Sequence, residues 1–197
     1  MRTFAILTAV LVSAAGAARA EGKKIDLRTA EGVKAVQGAW RYSDVKIVEA
    51  TNTGRDGKVL STYDFTPKAE KPDYDDKAWE VLDPASLGQS RAGGKVCFCW
   101  YRIKITLPDD VKGKAVFFQT TVDDYGEVWV DGNLPRKPGQ TGGPIVAGFN
   151  TPNRVELKDP APGKVYQIAV FGINGPISAA PTNRIFLGPT FLEVRDK

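Results

Sequence analysis

The sequence predicts an all-β fold, an antiparallel β-sandwich or jelly roll, and three observations support this prediction. Short segments that alternate apolar and polar residues recur along the chain, as expected for half-buried strands. Gly and Pro separate nearly all of these segments, and the 197 residues include 20 Gly and 13 Pro. No segment shows the apolar periodicity of the helices of about ten residues that an α/β fold needs between its strands. About eight to ten short strands in one domain therefore favour a sandwich or jelly roll.

The clearest strand covers residues 99–107, where apolar and polar side chains alternate strictly. Asp131-Gly132, directly after an apolar run, is a typical hairpin turn. Short helical segments are predicted at residues 29–36 and 75–79. The other predicted strands cover residues 42–48, 60–65, 115–122, 126–130, 145–149, 154–157, 165–173 and 184–194.

The first 20 residues have the three-part layout of a secretory signal peptide. Arg2 supplies a positive charge, residues 4–12 are apolar, and Ala18-Arg19-Ala20 forms a cleavage site before Glu21. The apolar run is too short to span a bilayer, which needs about 20 residues. We expect a periplasmic or extracellular protein with three parts: a signal peptide (1–20), a lead-in segment (21–39) and a sandwich domain (40–197).

The charge of the chain gives no reason to expect nucleic acid or a membrane as a partner. The formal net charge is +4, and removal of Arg2 and Arg19 with the signal peptide leaves +2 (4 − 2). Such a small excess, spread along the chain, is not a basic patch. No nucleic-acid-binding motif and no second long apolar stretch occur in the sequence.

The chain contains no histidine. This excludes Ser-His-Asp and Cys-His nucleophile systems, histidine-ligated zinc and histidine general bases. The nucleophile-elbow and phosphate-loop patterns are also absent. The sequence therefore predicts a protein that is not an enzyme.

Cys97 and Cys99, the two cysteines, point to the same side of an extended strand. Their Cα atoms would lie about 6.6 Å apart with parallel Cβ directions, a poor geometry for a disulfide. We expect two buried thiols that pack as small apolar side chains. The alternatives are a strained disulfide that bends the strand and a metal or redox site.

Asp123 and Asp124 lie in the densest acidic cluster, at the end of a strand. Carboxylates together with backbone carbonyls could hold calcium, a hard ion that takes six to eight oxygens. The same side chains could instead cap the turn or pair with Arg102 or Arg154. Catalytic carboxylates are the least favoured interpretation, because neighbours at a strand end point apart while glycoside hydrolysis needs a defined separation.

Two tryptophans lie on polar strand faces and are candidate ligand-binding residues. Trp100 shares a face with Arg102, and Trp129 shares a face with Glu127 and Asp131, opposite two valines. An aromatic ring on such a face can stack on a ligand while its neighbours supply hydrogen bonds. The alternative is that each tryptophan is packed beneath a long loop.

Loops at strand ends carry four further candidate ligand-binding residues: Asn150, Asn153, Arg154 and Asn174. Asn and Arg in such positions commonly form binding sites. Asn also stabilises turns with no functional role, and the sequence leaves both interpretations open.

Five segments resemble a galactose-binding-like jelly-roll domain: DDKAWEVLDP, FCWYRIKITLP, TTVDDYGEVWVDG, GFNTPNRVEL and AVFGINGPIS. They are similar to the sugar-binding domain of β-galactosidases and β-glucuronidases, and to the N-terminal domain that precedes gluconolactonase-type β-propellers. The resemblance covers residues 40–194 and does not extend to the propeller, so lactonase activity is not carried over.

The resemblance implies a non-catalytic accessory module, with carbohydrate as the leading ligand class and a structural calcium as the candidate metal. The alternative is a structural or protein-interaction module that docks a separate secreted enzyme, such as a gluconolactonase-like hydrolase.

Overall fold

A computed structural model of the chain describes residues 22–135, 151–175 and 183–197. Within them, antiparallel strands dominate, which confirms the predicted all-β sandwich. One α-helix, α1 (Ala30–Ala35), and two 3₁₀ turns at Pro84–Gly88 and Asp109–Val111 complete the elements. The strands are β1 (Lys23–Asp26), β2 (Trp40–Asp44), β3 (Lys46–Thr53), β4 (Val59–Thr66), β5 (Glu80–Leu82), β6 (Arg91–Gly94), β7 (Cys97–Thr106), β8 (Ala115–Thr120), β9 (Tyr125–Val130), β10 (Asn153–Glu156), β11 (Val165–Asn174), β12 (Asn183–Ile185) and β13 (Phe191–Arg195).

Two sheets form the layers of the sandwich. Sheet A has four strands in the order β1-β13-β8-β10, and sheet B has five in the order β5-β2-β7-β11-β9. Strands β12 and β6 pair separately, and so do β3 and β4, which form a hairpin of eight paired residues on each side. Neighbours in these sheets are often distant in sequence, as in a jelly roll.

The core lies between sheets A and B. Tyr101, Ile103 and Ile105 point inward from β7, and Phe118 and Leu192 point inward from sheet A. All five are at most 1% exposed. Burying one such side chain contributes about 1.5 to 3 kcal/mol to folding, so the alternation seen in the sequence fixes which face of each strand meets the other sheet.

Cys97 and Cys99 also point into this core, and both are buried free thiols. A Cβ atom on Gly172, which pairs with Cys99 on β11, would lie 3.2 Å from the Cys99 Sγ and 2.9 Å from Ile185. Glycine is therefore the residue that leaves room for the thiol. Burial raises the pKa of both thiols, and the buried-thiol interpretation is confirmed.

Two predicted strands are interrupted in the structure. Residues 184–194 form β12 and β13 rather than one strand, because the chain changes partners at Gly188-Pro189 and Pro has no N–H for a ladder. Residues 42–48 divide at Val45 between β2 and β3.

Residues 75–79 form a hydrogen-bonded turn rather than a helix. Within it, the Trp79 N–H donates to the Asp76 carbonyl at 3.0 Å. The short strands β1, β5 and β6 were not predicted from the sequence.

The lead-in segment forms part of the sandwich. Strand β1 pairs with β13 at the edge of sheet A, and α1 follows at the predicted place. The Thr29 side chain caps α1 by accepting from the Gly32 N–H at 3.0 Å. The Trp40 indole donates to the Leu27 carbonyl at 2.9 Å and anchors the segment to sheet B.

The predicted signal peptide (1–20), the predicted strand at 145–149 and the candidate residue Asn150 lie outside the described residues. In the part of the chain that is described, no helix is long and apolar enough to cross a membrane.

Candidate functional site

The outer face of sheet B carries the two predicted tryptophans. Phe171 of β11 pairs with Trp100 on one side and with Glu127 on the other. One pair further along, Ala169 lies between Arg102 and Trp129. Side chains of directly paired residues point to the same face. The face of β7 that carries Trp100 and Arg102 and the face of β9 that carries Glu127 and Trp129 therefore belong to one surface of sheet B.

Trp100 is buried on this face beneath residues 67–79, which we call the strap. Its side chain is 1% exposed and its indole donates to the Pro67 carbonyl at 2.8 Å. Its ring centroid lies 4.7 Å from that of Phe171. Trp100 therefore joins the strap to the sheet. This agrees with the alternative interpretation of the sequence, in which the tryptophan is packed beneath a loop and does not bind a ligand.

Arg102 anchors the same strap from below. Its side chain is 1% exposed, and its Nε donates to the Asp76 carboxylate at 2.7 Å. Its Nη1 donates to the carbonyls of Ala69 and Lys71, and its guanidinium lies 5.4 Å from the Tyr74 ring centroid. These contacts give Arg102 a structural role.

Trp129 lies on β9, the last described strand of sheet B, and is half-buried. It packs against the cluster that contains Trp100, Phe171 and Ala69 of the strap. Its indole N–H donates to the Glu127 carboxylate at 3.1 Å. Tyr125 follows on the same face of the strand, and Tyr125 and Glu127 are both partly exposed. We call these three residues the β9 platform.

The β9 platform continues into a partly apolar surface. Ile173 pairs with Tyr125, and Phe98 pairs with Ile173 on the next strand. Both side chains are half-buried and pack against the cluster that contains Trp100 and Phe171. The platform therefore combines a fixed aromatic ring, a carboxylate and a phenol on a rigid apolar base.

Asp131 lies at the end of β9, in the predicted tight turn. Asp131 and Gly132 have φ values of 49° and 75°, and Val130 and Asn133 exchange backbone hydrogen bonds of 2.9 Å across the turn. The Asp131 carboxylate accepts from the Gln167 N–H at 2.8 Å. Asp131 is exposed, but the hydrogen bond from Gln167 to its carboxylate positions the turn.

Asp123 and Asp124 precede β9, and their backbone N–H groups donate to Phe186 and Ile173 at 3.2 Å each. Asp124 is 6% exposed. Burial first, and then the negative charge of Asp124, raise the pKa of the Cys97 thiol, so this carboxylate lies near the thiol. Among the described residues, no three His, Cys, Asp or Glu side chains form a group that could hold a metal. Calcium binding stays a prediction.

Asn153 and Asn174 are buried and hold neighbouring segments together. The Asn153 amide donates to the Gly126 carbonyl at 2.8 Å, and the Asn174 amide donates to the Arg184 carbonyl at 2.5 Å. Arg154 is on β10 of sheet A, on the other side of the sandwich. The structure does not bring these residues together with Trp129.

Sequence reasoning missed Tyr125 as a member of the site. The available signal was the alternation of residues 125, 127 and 129 along one strand, which places all three on one face. The strap was also missed, because its contacts with Arg102 join segments about 30 residues apart.

Comparison with solved structures finds glycoside hydrolases that contain a similar fold. A glycosyl hydrolase family 2 member from Bacteroides cellulosilyticus is 18% identical with a TM-score of 0.51, and the match covers 80% of this chain and 20% of that chain. The chain shares its β-sandwich fold with a part of that enzyme. A β-glucuronidase of family 2 is 19% identical with a TM-score of 0.43, and the match covers 81% of this chain and 18% of that one.

This chain thus spans about one fifth of the length of the matched enzymes. Comparisons with models of protein families and with characterised protein sequences give no match. The gluconolactonase part of the sequence resemblance gains no support from these findings.

Proposed function

We propose that this chain is an exported, non-catalytic module that binds neutral carbohydrate through the β9 platform. The observation that carries the proposal is the half-buried Trp129, whose indole is held by Glu127 on the outer face of β9, the last described strand of sheet B. A ring fixed in this way loses little conformational entropy when a ligand stacks on it.

The platform offers the contacts that a sugar ring needs. The apolar C–H face of the ring can stack on Trp129, while hydroxyl groups donate to the Glu127 carboxylate and bond with the Tyr125 phenol. A ligand that brings its own negative charge would be repelled by Glu127. The chemistry therefore favours a neutral sugar.

The fold likeness supports a role beside an enzyme rather than as one. The matched family 2 member contains this fold as about one fifth of its chain, and a chain without histidine lacks the commonest general acid–base side chain.

Export is the second part of the proposal. When the chain is expressed with its leader in a Gram-negative host, we expect periplasmic protein that begins at Glu21, and uncleaved cytoplasmic protein would contradict this part.

A glycan array with the mature protein, followed by titration of the best ligand, tests the proposal. Trp129→Ala should weaken binding about ten- to thirty-fold, the equivalent of about 1 to 2 kcal/mol of stacking. Because Trp129 is half-buried, the variant should stay folded and lose less than the about 3 to 5 kcal/mol of a fully buried tryptophan. Tyr63→Ala, which removes a 69% exposed aromatic ring from the β3–β4 hairpin, is the matched control and should bind as wild type. Unchanged binding by Trp129→Ala would refute the platform.

The β3–β4 hairpin favours a second candidate function, the docking of a separate secreted enzyme. Val59, Leu60 and Tyr63 are 73%, 51% and 69% exposed, and Ile47 is 45% exposed. Exposed apolar side chains and open strand edges are typical of protein contacts. A blank glycan array, together with co-purification of a glycoside hydrolase that Leu60→Asp abolishes, would favour docking over sugar binding.

A further inference from the structure

The outer face of sheet A, on the opposite side of the sandwich from the β9 platform, carries an organised set of polar and aromatic side chains. Glu193 of β13 pairs with Phe117 of β8, and Gln119 of β8 lies between Phe191 of β13 and Arg154 of β10. Arg195 follows Glu193 at the next outward position of β13.

Glu193 is the centre of this set. Arg154 Nη1 lies 2.5 Å from one of its carboxylate oxygens, and Arg195 Nε donates to the other. Arg154 Nη1 also donates to the Gln119 side-chain oxygen at 3.2 Å. The Arg154 guanidinium lies 4.2 Å from the Phe117 ring centroid. The guanidinium is therefore fixed by a carboxylate, an amide and an aromatic ring.

The accessible charge of this set is positive. The Glu193 side chain is 3% exposed, whereas the side chains of Arg154 and Arg195 are 29% and 35% exposed. One buried carboxylate thus lies beneath two guanidinium groups that reach solvent. Burial alone would raise the pKa of Glu193, but the hydrogen bonds from Arg195 and Arg154 outweigh it and hold the pKa below its usual value, so the carboxylate stays charged and the arrangement stays fixed near neutral pH.

Arg154 retains hydrogen-bonding capacity toward a ligand. Both of its described hydrogen bonds use Nη1, which leaves the Nε and Nη2 N–H groups to pair side by side with a carboxylate. The residue also lines an open depression of about 500 Å³. Lys158 and Lys197 add positive charges to the wall of this depression, and Glu156 and Asp159 add negative ones.

We infer that this face is a second ligand site, which takes a saccharide that carries carboxylate groups. Arg154 pairs with the carboxylate, and Arg195 adds long-range attraction. The partly exposed Phe191 ring, with the Lys24 Nζ 5.3 Å from its centroid, adds an apolar edge and a further cation. The inference does not rest on the β9 platform, because the two surfaces lie on different sheets and either can fail alone.

Calorimetric titration of the mature protein with an oligogalacturonide and with its methyl ester tests the inference, because the ester keeps the sugar rings and removes the charge. We expect the acid to bind at least tenfold more tightly than the ester, and added salt to reduce the difference. Arg154→Gln should abolish the preference for the acid. Arg154→Lys should keep the fold, because it leaves a cation beside Glu193, but it should lose most of the preference, because Lys lacks the planar fork.

Arg55→Gln, the same substitution at an exposed arginine in the hairpin turn, is the matched control and should retain the preference. Equal binding of acid and ester, no binding of either, or an Arg154→Lys variant with the wild-type preference would overturn the inference. Equally tight binding of a poly-glutamate peptide would also overturn it, since the site would then recognise charge and not a saccharide.

Discussion

Replacement of Arg102 by alanine should destabilise the protein and leave sugar binding intact. Arg102 is 1% exposed and holds the strap by hydrogen bonds to the Asp76 carboxylate and to two backbone carbonyls. The substitution removes all three bonds together with the contact on the Tyr74 ring. The strap would then lose its main polar attachment to sheet B.

The magnitude follows from what the lost side chain leaves behind. Breaking a buried ion pair by removing one partner costs about 3 to 5 kcal/mol. The lower end applies here, because the Asp76 side chain is 20% exposed and keeps Arg41 at 3.4 Å. A loss of about 3 kcal/mol corresponds to a Tm about 6 to 12 °C lower in a domain of this size.

Urea unfolding of Arg102→Ala and Arg41→Ala, followed by circular dichroism, measures the difference. Arg41 contacts the same carboxylate and donates to the Asp76 and Lys77 carbonyls at 3.3 and 3.2 Å, but its side chain is 28% exposed. Its removal should therefore cost less than that of Arg102, about 1 to 2 kcal/mol. If Arg102→Ala unfolded like wild type, the structural role would be refuted. If it also lost glycan binding, Arg102 would be a ligand contact.

Three further predictions concern other parts of the molecule. Cys97 and Cys99 should react with a thiol reagent at pH 8 only after denaturation, because burial raises the pKa of both thiols; a mass two units lower that reductant restores would show a disulfide instead. Calcium bound by Asp123 and Asp124 should raise the Tm and chelator should lower it, whereas no shift at millimolar calcium would leave these residues to position the turn. The pKa of Glu193 is lowered from 4.5 in the folded state, so its contribution to stability is present at neutral pH and is lost as the pH falls through that lowered pKa. Glu193→Gln should therefore cost stability at pH 7, and this cost should shrink as the pH falls below 4.5 toward the lowered pKa; a cost that does not change with pH would contradict the arginine contacts.

The sequence predicted the sandwich and most of its strands, because local alternation decides which face of a strand is buried. It placed Trp100, Arg102, Glu127 and Trp129 on outward faces, as the structure confirms. Alternation cannot show what covers a face. Trp100 and Arg102 are 1% exposed beneath the strap, whereas Trp129 is half-buried, and the burial of the first two depends on contacts between residues about 30 positions apart.

The predicted loop cluster illustrates the same limit. Asn153 and Arg154 are adjacent in sequence, yet one is buried against Gly126 and the other lies on the outer face of sheet A. Neighbours on a strand point to opposite faces, so their proximity in sequence did not predict a shared site. The partners of Arg154 come from β8 and β13, which only the sheet order brings beside β10.

The β9 platform can be tested most directly by nuclear magnetic resonance of the tryptophan indole N–H groups during titration with the best ligand from the glycan array. The chain has four tryptophans, and the indoles of Trp40 and Trp100 donate to backbone carbonyls at 2.9 and 2.8 Å. Trp129 is half-buried and donates instead to the Glu127 side chain on β9. We expect a saturable shift of the Trp129 signal while the signals of Trp40 and Trp100 stay in place. A ligand that binds without moving the Trp129 signal would contradict the account.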